Sequence, residues 1–361
     1  MSAGAASIAT IRRPALVRWC AALALALLLL AGCASGSGGG DPYSGRYGGS
    51  LNHIHDLLAL RGVPNTVLLA AHAGLYRTSD GGHTWHVVAG LAGQTMDGLM
   101  IFKFAQSPVD PRRVYVLAIP RTDRPKDAKA PAGLYASADA GQTWQLAAPV
   151  SAFPGGAVYS IGAGSGAAGQ IYALLPSLGV HGLYATNDGG AHWQALPPLP
   201  DSHPTGVTGD PLHPGHIIFW SASTGVYTSA DAGQTWRTAA GVTGGIFALA
   251  ATPTLIYASG DAGAYVSRDG TTYALANPTY TFAAIAGCAG APTNAWAVTG
   301  TAVYVSGDSG HTWSQTAATA SHPGNLTADP TDPRVAYVGF SYPIGVQLTS
   351  DGGAHWRAAL P

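Results

Sequence analysis

The chain has 361 residues, 17 basic and 18 acidic, for a formal net charge of −1. With no basic excess to track a phosphate backbone, nucleic acid is not an expected partner. All 18 acidic residues are aspartate, so any chemistry that requires glutamate is absent.

The N-terminus reads as a targeting segment. Arg12, Arg13 and Arg18 precede an apolar run from Ala21 to Leu30 that ends in Leu30-Ala31-Gly32-Cys33. The run is shorter than the roughly 20 apolar residues of a membrane-spanning helix, which fits a cleaved signal peptide over residues 1–32. The Leu-Ala-Gly-Cys phrase resembles a bacterial lipobox. That resemblance implies a lipid on Cys33 as the first mature residue, and a chain anchored to the membrane on the extracytoplasmic side of a bacterial cell envelope. Arg12-Arg13 also resembles a twin-arginine signal. Residues 33–51 then hold the lipidated cysteine and a tether, in which Ala34 to Gly40 is Ser/Gly-rich and flexible. Removing the leader leaves 14 basic against 18 acidic residues, a net −4. Cys20 leaves with the leader and Cys33 carries lipid, so Cys288 has no partner for an internal disulfide and stability must come from packing.

From residue 52 onward one pattern, SxDxGxTW, recurs seven times: Ser79 to Trp85, Ser137 to Trp144, Asn187 to Trp193, Ser229 to Trp236, Ser267 to Tyr273, Ser306 to Trp313 and Ser350 to Trp356. Its aspartates are Asp80, Asp139, Asp188, Asp231, Asp269, Asp308 and Asp351, spaced 59, 49, 43, 38, 39 and 43 residues apart. A period near 40 marks repeated blades. Trp85, Trp144, Trp193, Trp236, Trp313 and Trp356 close six copies; in the fifth one residue is missing and Tyr273 arrives early. Six positions before the aspartate stands glycine in six copies, and four before it tyrosine in six. An aspartate carboxylate accepts from N–H groups ahead of it, and the following glycine supplies a positive φ, so each copy predicts a tight hairpin pinned by its tryptophan.

Short apolar and β-branched runs flank each turn, such as Val67 to Ala71, Gly74 to Thr78, Ile217 to Trp220 and Gly225 to Ser229. They predict four strands per repeat, with the aspartate turn joining the third to the fourth. The expected architecture is an all-β, seven-bladed β-propeller over residues 52–361, with one such hairpin per blade. The blades run Asn52 to Gly90, Gly98 to Pro149, Ala157 to Pro198, Pro204 to Ala240, Gly244 to Asn277, Thr279 to Ala317 and Gly324 to Pro361. Each keeps its own four strands, so blade one must pack against blade seven to close a monomeric ring.

The turns resemble the Asp-box (BNR) repeats of sialidases, sortilin-type receptors and photosystem II assembly-factor propellers. Three repeats carry an aspartate-proline element (Pro108 to Tyr115, Asp210 to Phe219, Asp329 to Tyr337), similar to the DPxxPxxVY phrase of bacterial members. The opening His53-Ile54-His55-Asp56 and the Met96 to Phe104 stretch resemble a group of bacterial glycosyl-hydrolase-like lipoproteins. In this superfamily the Asp box lies on the face away from the ligand, which implies a structural role for all seven aspartates; one carboxylate per loop is also too few for calcium.

The resemblance does not carry sialidase activity with it. Sialidases use a tyrosine paired with a glutamate, an arginine triad and an early Arg-Ile-Pro phrase, whereas here glutamate is absent and Ile119-Pro120-Arg121 has the wrong order. A glycosidase built on two aspartates remains an alternative. Asp110, Asp210, Asp329 and Asp332 sit in proline-rich turns where they cap backbone, which leaves Asp56 and Asp97 as the catalytic candidates. Gly307 to Gly310 imitates a serine-protease phrase but is the sixth aspartate turn. Gly164 to Gly169 matches GxGxxG without the helix that phosphate binding needs.

Strand direction puts the aspartate turns on one face and the loops between second and third strands on the other. On that opposite face the longest insertion, Pro120 to Pro131, holds Arg121, Arg124, Lys126 and Lys129. With His181, Trp220, Tyr342 and the Ala89 to Gly98 connection it makes a candidate surface for a protein or glycan. His53 and His55 alternate along the first strand and His72 ends the second, so the three form a candidate transition-metal site at the channel mouth. The expected function is a lipid-anchored binding or assembly module, with an aspartate glycosidase and a metal-binding propeller as alternatives.

Overall fold

The computed structural model describes residues 53–121, 124, 127–154, 158–177, 180–316, 322–341 and 344–359. The leader, Cys33, the tether, Asn52, Lys126 and Tyr342 lie outside the described residues. Among the described residues, 28 strands form seven four-stranded sheets, each built from four consecutive strands paired antiparallel. The chain is the seven-bladed β-propeller its repeats predict.

The first strands stand side by side around a central channel: Ile54–Ala59, Leu99–Gln106, Ser160–Ala163, Pro204–Gly209, Ile246–Ala251, Ala284–Gly287 and Pro323–Ala328. Blade seven thus begins one residue before the expected Gly324. Second strands sit between sheets and read as continuous apolar runs; Val67–Ala71 is buried at every position. Burying each large aliphatic side chain there contributes about 1.5–3 kcal/mol. Fourth strands are the outer edges. In four blades they shrink to two exposed residues, Gln194–Ala195, Arg237–Thr238, Ser314–Gln315 and Arg357–Ala358, too short to template pairing with another chain.

The core is divided into seven layers, one between each pair of neighbouring blades. This division explains how a chain of this length is stabilised without a single large core. The tryptophan ending each aspartate turn packs into the layer shared with the preceding blade, not only against its own turn. Trp144 joins the layer between blades one and two, Trp313 that between five and six, and Trp356 that between six and seven. Tyr273 fills the same place between blades four and five.

Ring closure uses the same device. Ile54, Leu57, Val67, Leu69 and Tyr76 of blade one interleave with Tyr337, Val346, Leu348 and Ala359 of blade seven, with Trp85 packed against them. Among the described residues no strand crosses the seam. Cys288 is a buried free thiol.

Candidate functional site

The seven aspartate turns share a hydrogen-bond scheme that accounts for their carboxylates. Two residues before each aspartate stands a hydroxyl, Thr78, Ser137, Thr186, Ser229, Ser267, Ser306 or Thr349, which donates to the carboxylate at 2.7–3.2 Å. The motif therefore starts at Thr78, Thr186 and Thr349 in blades one, three and seven, not at Ser79, Asn187 and Ser350; threonine hides the repeat. The same hydroxyl accepts the N–H of the glycine two residues beyond the aspartate, as at Gly233 (2.8 Å). The carboxylate also accepts the N–H four residues ahead, as from Thr84, Thr235 and His355. These donors hold the carboxyl groups below the usual range. The Thr235 hydroxyl and then the Thr235 N–H bring Asp231 to about 2, and the His355 N–H and then its ring bring Asp351 to about 2.

A cavity of about 450 Å³ runs along the channel and is lined by all seven first strands, from Thr205, Trp220 and Phe247 toward the opposite face to Arg61, Gln106 and Pro211 beside the aspartate turns. Asp56 is the one carboxylate in this lining among the described residues. One of its oxygens accepts the Leu57 N–H (3.0 Å); the other accepts the Phe104 N–H (2.9 Å) and lies 3.3 Å from the Lys103 ammonium. Asp56 thereby ties the first strands of blades one and two together.

The other carboxylates of this face are placed apart. Asp201 accepts from Thr224, Ser223 and the His203 N–H, joining the connection into blade four to that blade's own loop. Asp261 accepts the Gly245 N–H at 2.9 Å. Asp97 lies in a separate groove of about 590 Å³ with Asp127, Lys129, Tyr135 and Trp144; one of its oxygens accepts the Gly93 N–H (2.9 Å), and the other is buried with no hydrogen-bond partner among the described residues. The two catalytic candidates, Asp56 and Asp97, thus sit in different cavities.

A feature invisible to the repeat pattern lies at the start of five of the seven first strands. The register breaks between Ile54 and Asp56, Ile101 and Lys103, Pro204 and Gly206, Ile246 and Ala248, and Pro323 and Asn325. One extra residue bulges out in each: His55, Phe102, Thr205, Phe247 and Gly324. Tyr159 and Ala283 hold the place in blades three and six, their N–H groups donating to the Leu174 and Val298 carbonyls at 2.9 and 2.8 Å. A bulge re-aims its side chain, and of these residues Thr205, Phe247, Ala283 and Gly324 line the channel. Tyr159 is 42% exposed, and Phe247 lines the channel. Trp220 lines it too, its ring lying over Gly206, where an added Cβ would come within 2.2 Å of the indole.

The structure brings His53, His55 and His72 together. His53 precedes the first strand, His55 is its bulged residue, and His72 follows the second strand with its N–H donating to the His53 carbonyl at 2.9 Å. Ring centroids lie 4.5 Å apart for His53 and His55, 5.1 Å for His53 and His72, and 6.1 Å for His55 and His72. Phe102 packs on His55 at 5.6 Å. Burial, then the neighbouring His53 and His72, push His55 down to about 3, so its ring is neutral at physiological pH.

The basic loop is partly turned inward. Arg121 is 4% exposed, and the Arg124 guanidinium donates to the Ala128 and Ala130 carbonyls at 2.9 and 2.8 Å, holding the loop's own backbone. Lys129 is exposed. His181 lies in the third strand of blade three, Val180–Thr186.

No protein-family model matches the chain, and no curated protein matches it in sequence. Solved structures do match in fold. The GH74 xyloglucanase from Xanthomonas campestris aligns with a TM-score of 0.67 at 19% identity, over 87% of this chain and 55% of that one, so this chain spans about half of that protein's length. YCF48 from Cyanidioschyzon merolae aligns with a TM-score of 0.55 at 18% identity, over 84% and 94% of the two chains. YCF48 bound to D1 peptide gives 0.52 at 16% identity, over 73% and 82%. The resemblance read from the repeats holds at the level of fold, and fold does not fix function.

Proposed function

We propose that this chain is a lipid-anchored, extracytoplasmic binding or assembly module that takes a protein or glycan segment at the channel mouth, on the face opposite the aspartate turns. The observation that carries this reading is the chemistry of the channel. Its one carboxylate among the described residues, Asp56, is held by Lys103 and two backbone N–H groups, whereas glycoside hydrolysis uses two carboxyl groups facing each other across the scissile bond. Asp201 and Asp261 are occupied in tying loops together. What the channel offers is ring surface from Trp220 and Phe247, with the exposed Tyr159 just ahead of the first strand of blade three. Aromatic side chains bring large contact area with few rotatable bonds, which suits recognition of peptide or sugar.

The fold neighbours support both partner classes, one being bound to a D1 peptide and one being a xyloglucanase. A lipid on Cys33 would hold the propeller at the membrane through the tether of residues 34–51, and the ring would act as a monomer. The test is cross-linking of the tagged full-length protein in its native membrane, comparing the wild type with a Tyr159→Ala, Phe247→Ala double variant. A stoichiometric partner or glycan that is lost in the double variant is the expected result. A partner retained in equal amount would overturn the mouth as the binding surface, and turnover abolished by Asp97→Asn would overturn the non-catalytic reading.

A further inference from the structure

We propose that His53, His55 and His72 form a binding site for a divalent late transition metal at the channel mouth, with three imidazole ligands and a fourth position open to a water or a partner's donor. The inference is independent of the partner-binding reading above.

Geometry carries it. Each histidine offers one ring nitrogen, and the three nitrogens lie within 4.8 Å of one another. Zinc–nitrogen bonds of about 2.0–2.1 Å in a tetrahedral site put ligand nitrogens roughly 3.3 Å apart, so small rotations of the rings close the set. The backbone is already fixed for this: the His72 N–H to His53 carbonyl bond joins two of the ligand-bearing residues, and the bulge between Ile54 and Asp56 presents the third. His55 Nε2 is buried with no hydrogen-bond partner among the described residues, and a metal would supply one. Phe102 packs against the His55 ring, with centroids 5.6 Å apart, and limits its motion.

Ligand type selects the ion. Calcium and magnesium take oxygen donors, whereas an all-imidazole set suits zinc, copper and nickel, with copper(II) bound most tightly. A second cluster, Asp210, His213 and His216, also brings ligand atoms within 4.8 Å. There, however, the carboxylate is committed, one oxygen accepting the Leu212 N–H and the other 2.9 Å from His213 Nδ1. It therefore serves as the internal control.

The experiment is calorimetric titration of chelator-stripped full-length protein in detergent with zinc and, separately, copper(II). One metal per chain is expected, copper tighter than zinc. Loss of an outer-shell partner alone weakens metal sites by about 10–100-fold, so His55→Ala should weaken binding at least about tenfold, and His55→Gln likewise while keeping a polar side chain of similar size. His53→Ala, which precedes the strand, serves if either His55 variant loses its fold. A His213→Ala, His216→Ala variant should bind like the wild type. The site is overturned by absence of saturable one-to-one binding, by binding unchanged in the His55 or His53 variants, or by binding lost in the His213, His216 variant.

Discussion

The backbone N–H of Ala59 in blade one donates to the Thr327 hydroxyl of blade seven at 3.0 Å. At the other end of that strand the Asn325 amide donates to the Ile54 carbonyl at 3.2 Å, so blades one and seven are joined by hydrogen bonds between their first strands. Because no strand crosses the seam among the described residues, closure there rests on these contacts and on the apolar layer behind them. Thr327→Val leaves the Ala59 N–H buried and unpaired, and should cost about 1–3 kcal/mol. Removing residues 354–361 takes Trp356 and Ala359 from two layers at once and should lower the thermal midpoint further. An unchanged midpoint in the truncated chain would show that the ring closes some other way.

Trp313 is 8% exposed and packs among Tyr257, Phe282 and Ile285. Trp313→Ala should destabilise by about 3–5 kcal/mol in chemical denaturation, the range for removing a large core aromatic. A change below about 1 kcal/mol would mean that the turn tryptophans do not bind blades together.

The residue after the turn aspartate also has positive φ. Ala232 sits there at φ 57, a conformation that costs a non-glycine residue roughly 1–2 kcal/mol. Ala232→Gly, on an exposed turn, should raise stability by roughly 0.5 kcal/mol once the greater freedom of the unfolded glycine is subtracted. A loss of stability on substitution would contradict that balance.

The turn aspartates make the fold acid-sensitive in a defined window. Asp231 and Asp351 are lowered from 3.8 to about 2 by hydrogen bonds that exist only in the folded chain. The unfolded chain therefore binds protons more readily between those values. The contribution is fully present above pH 3.8 and is lost as pH falls through about 2. The thermal midpoint should drop across that interval, and Asp231→Asn should show both a lower midpoint at neutral pH and a shallower acid slope. An identical slope in the variant would place acid sensitivity elsewhere.

The architecture was legible in the sequence because the turn chemistry is local. Asp139 needs Gly141 at positive φ and a donor at Thr143, and those needs repeat at fixed offsets. Even the shortened fifth copy keeps the scheme, with Gly270 N–H reaching Ser267 Oγ at 2.9 Å across three residues in place of four. The site was less legible, for the opposite reason. The bulged residues are His55, Phe102, Thr205, Phe247 and Gly324; a bulge is a backbone event that demands no residue type, so nothing in the repeat marks it. His55 emerged through its neighbours His53 and His72, whereas Tyr159 and Phe247 carried no such signal. Arg121 looked like surface charge in a polar insertion, and only tertiary packing shows it to be buried.

The most direct test of the central claim is site-specific photo-cross-linking in the native membrane, with a photoreactive side chain in place of Phe247 at the channel mouth or of Leu275 on the exposed outer strand of blade five. A binding module working through its mouth gives a defined adduct from position 247 and none from position 275. Adducts from position 275 alone would contradict it.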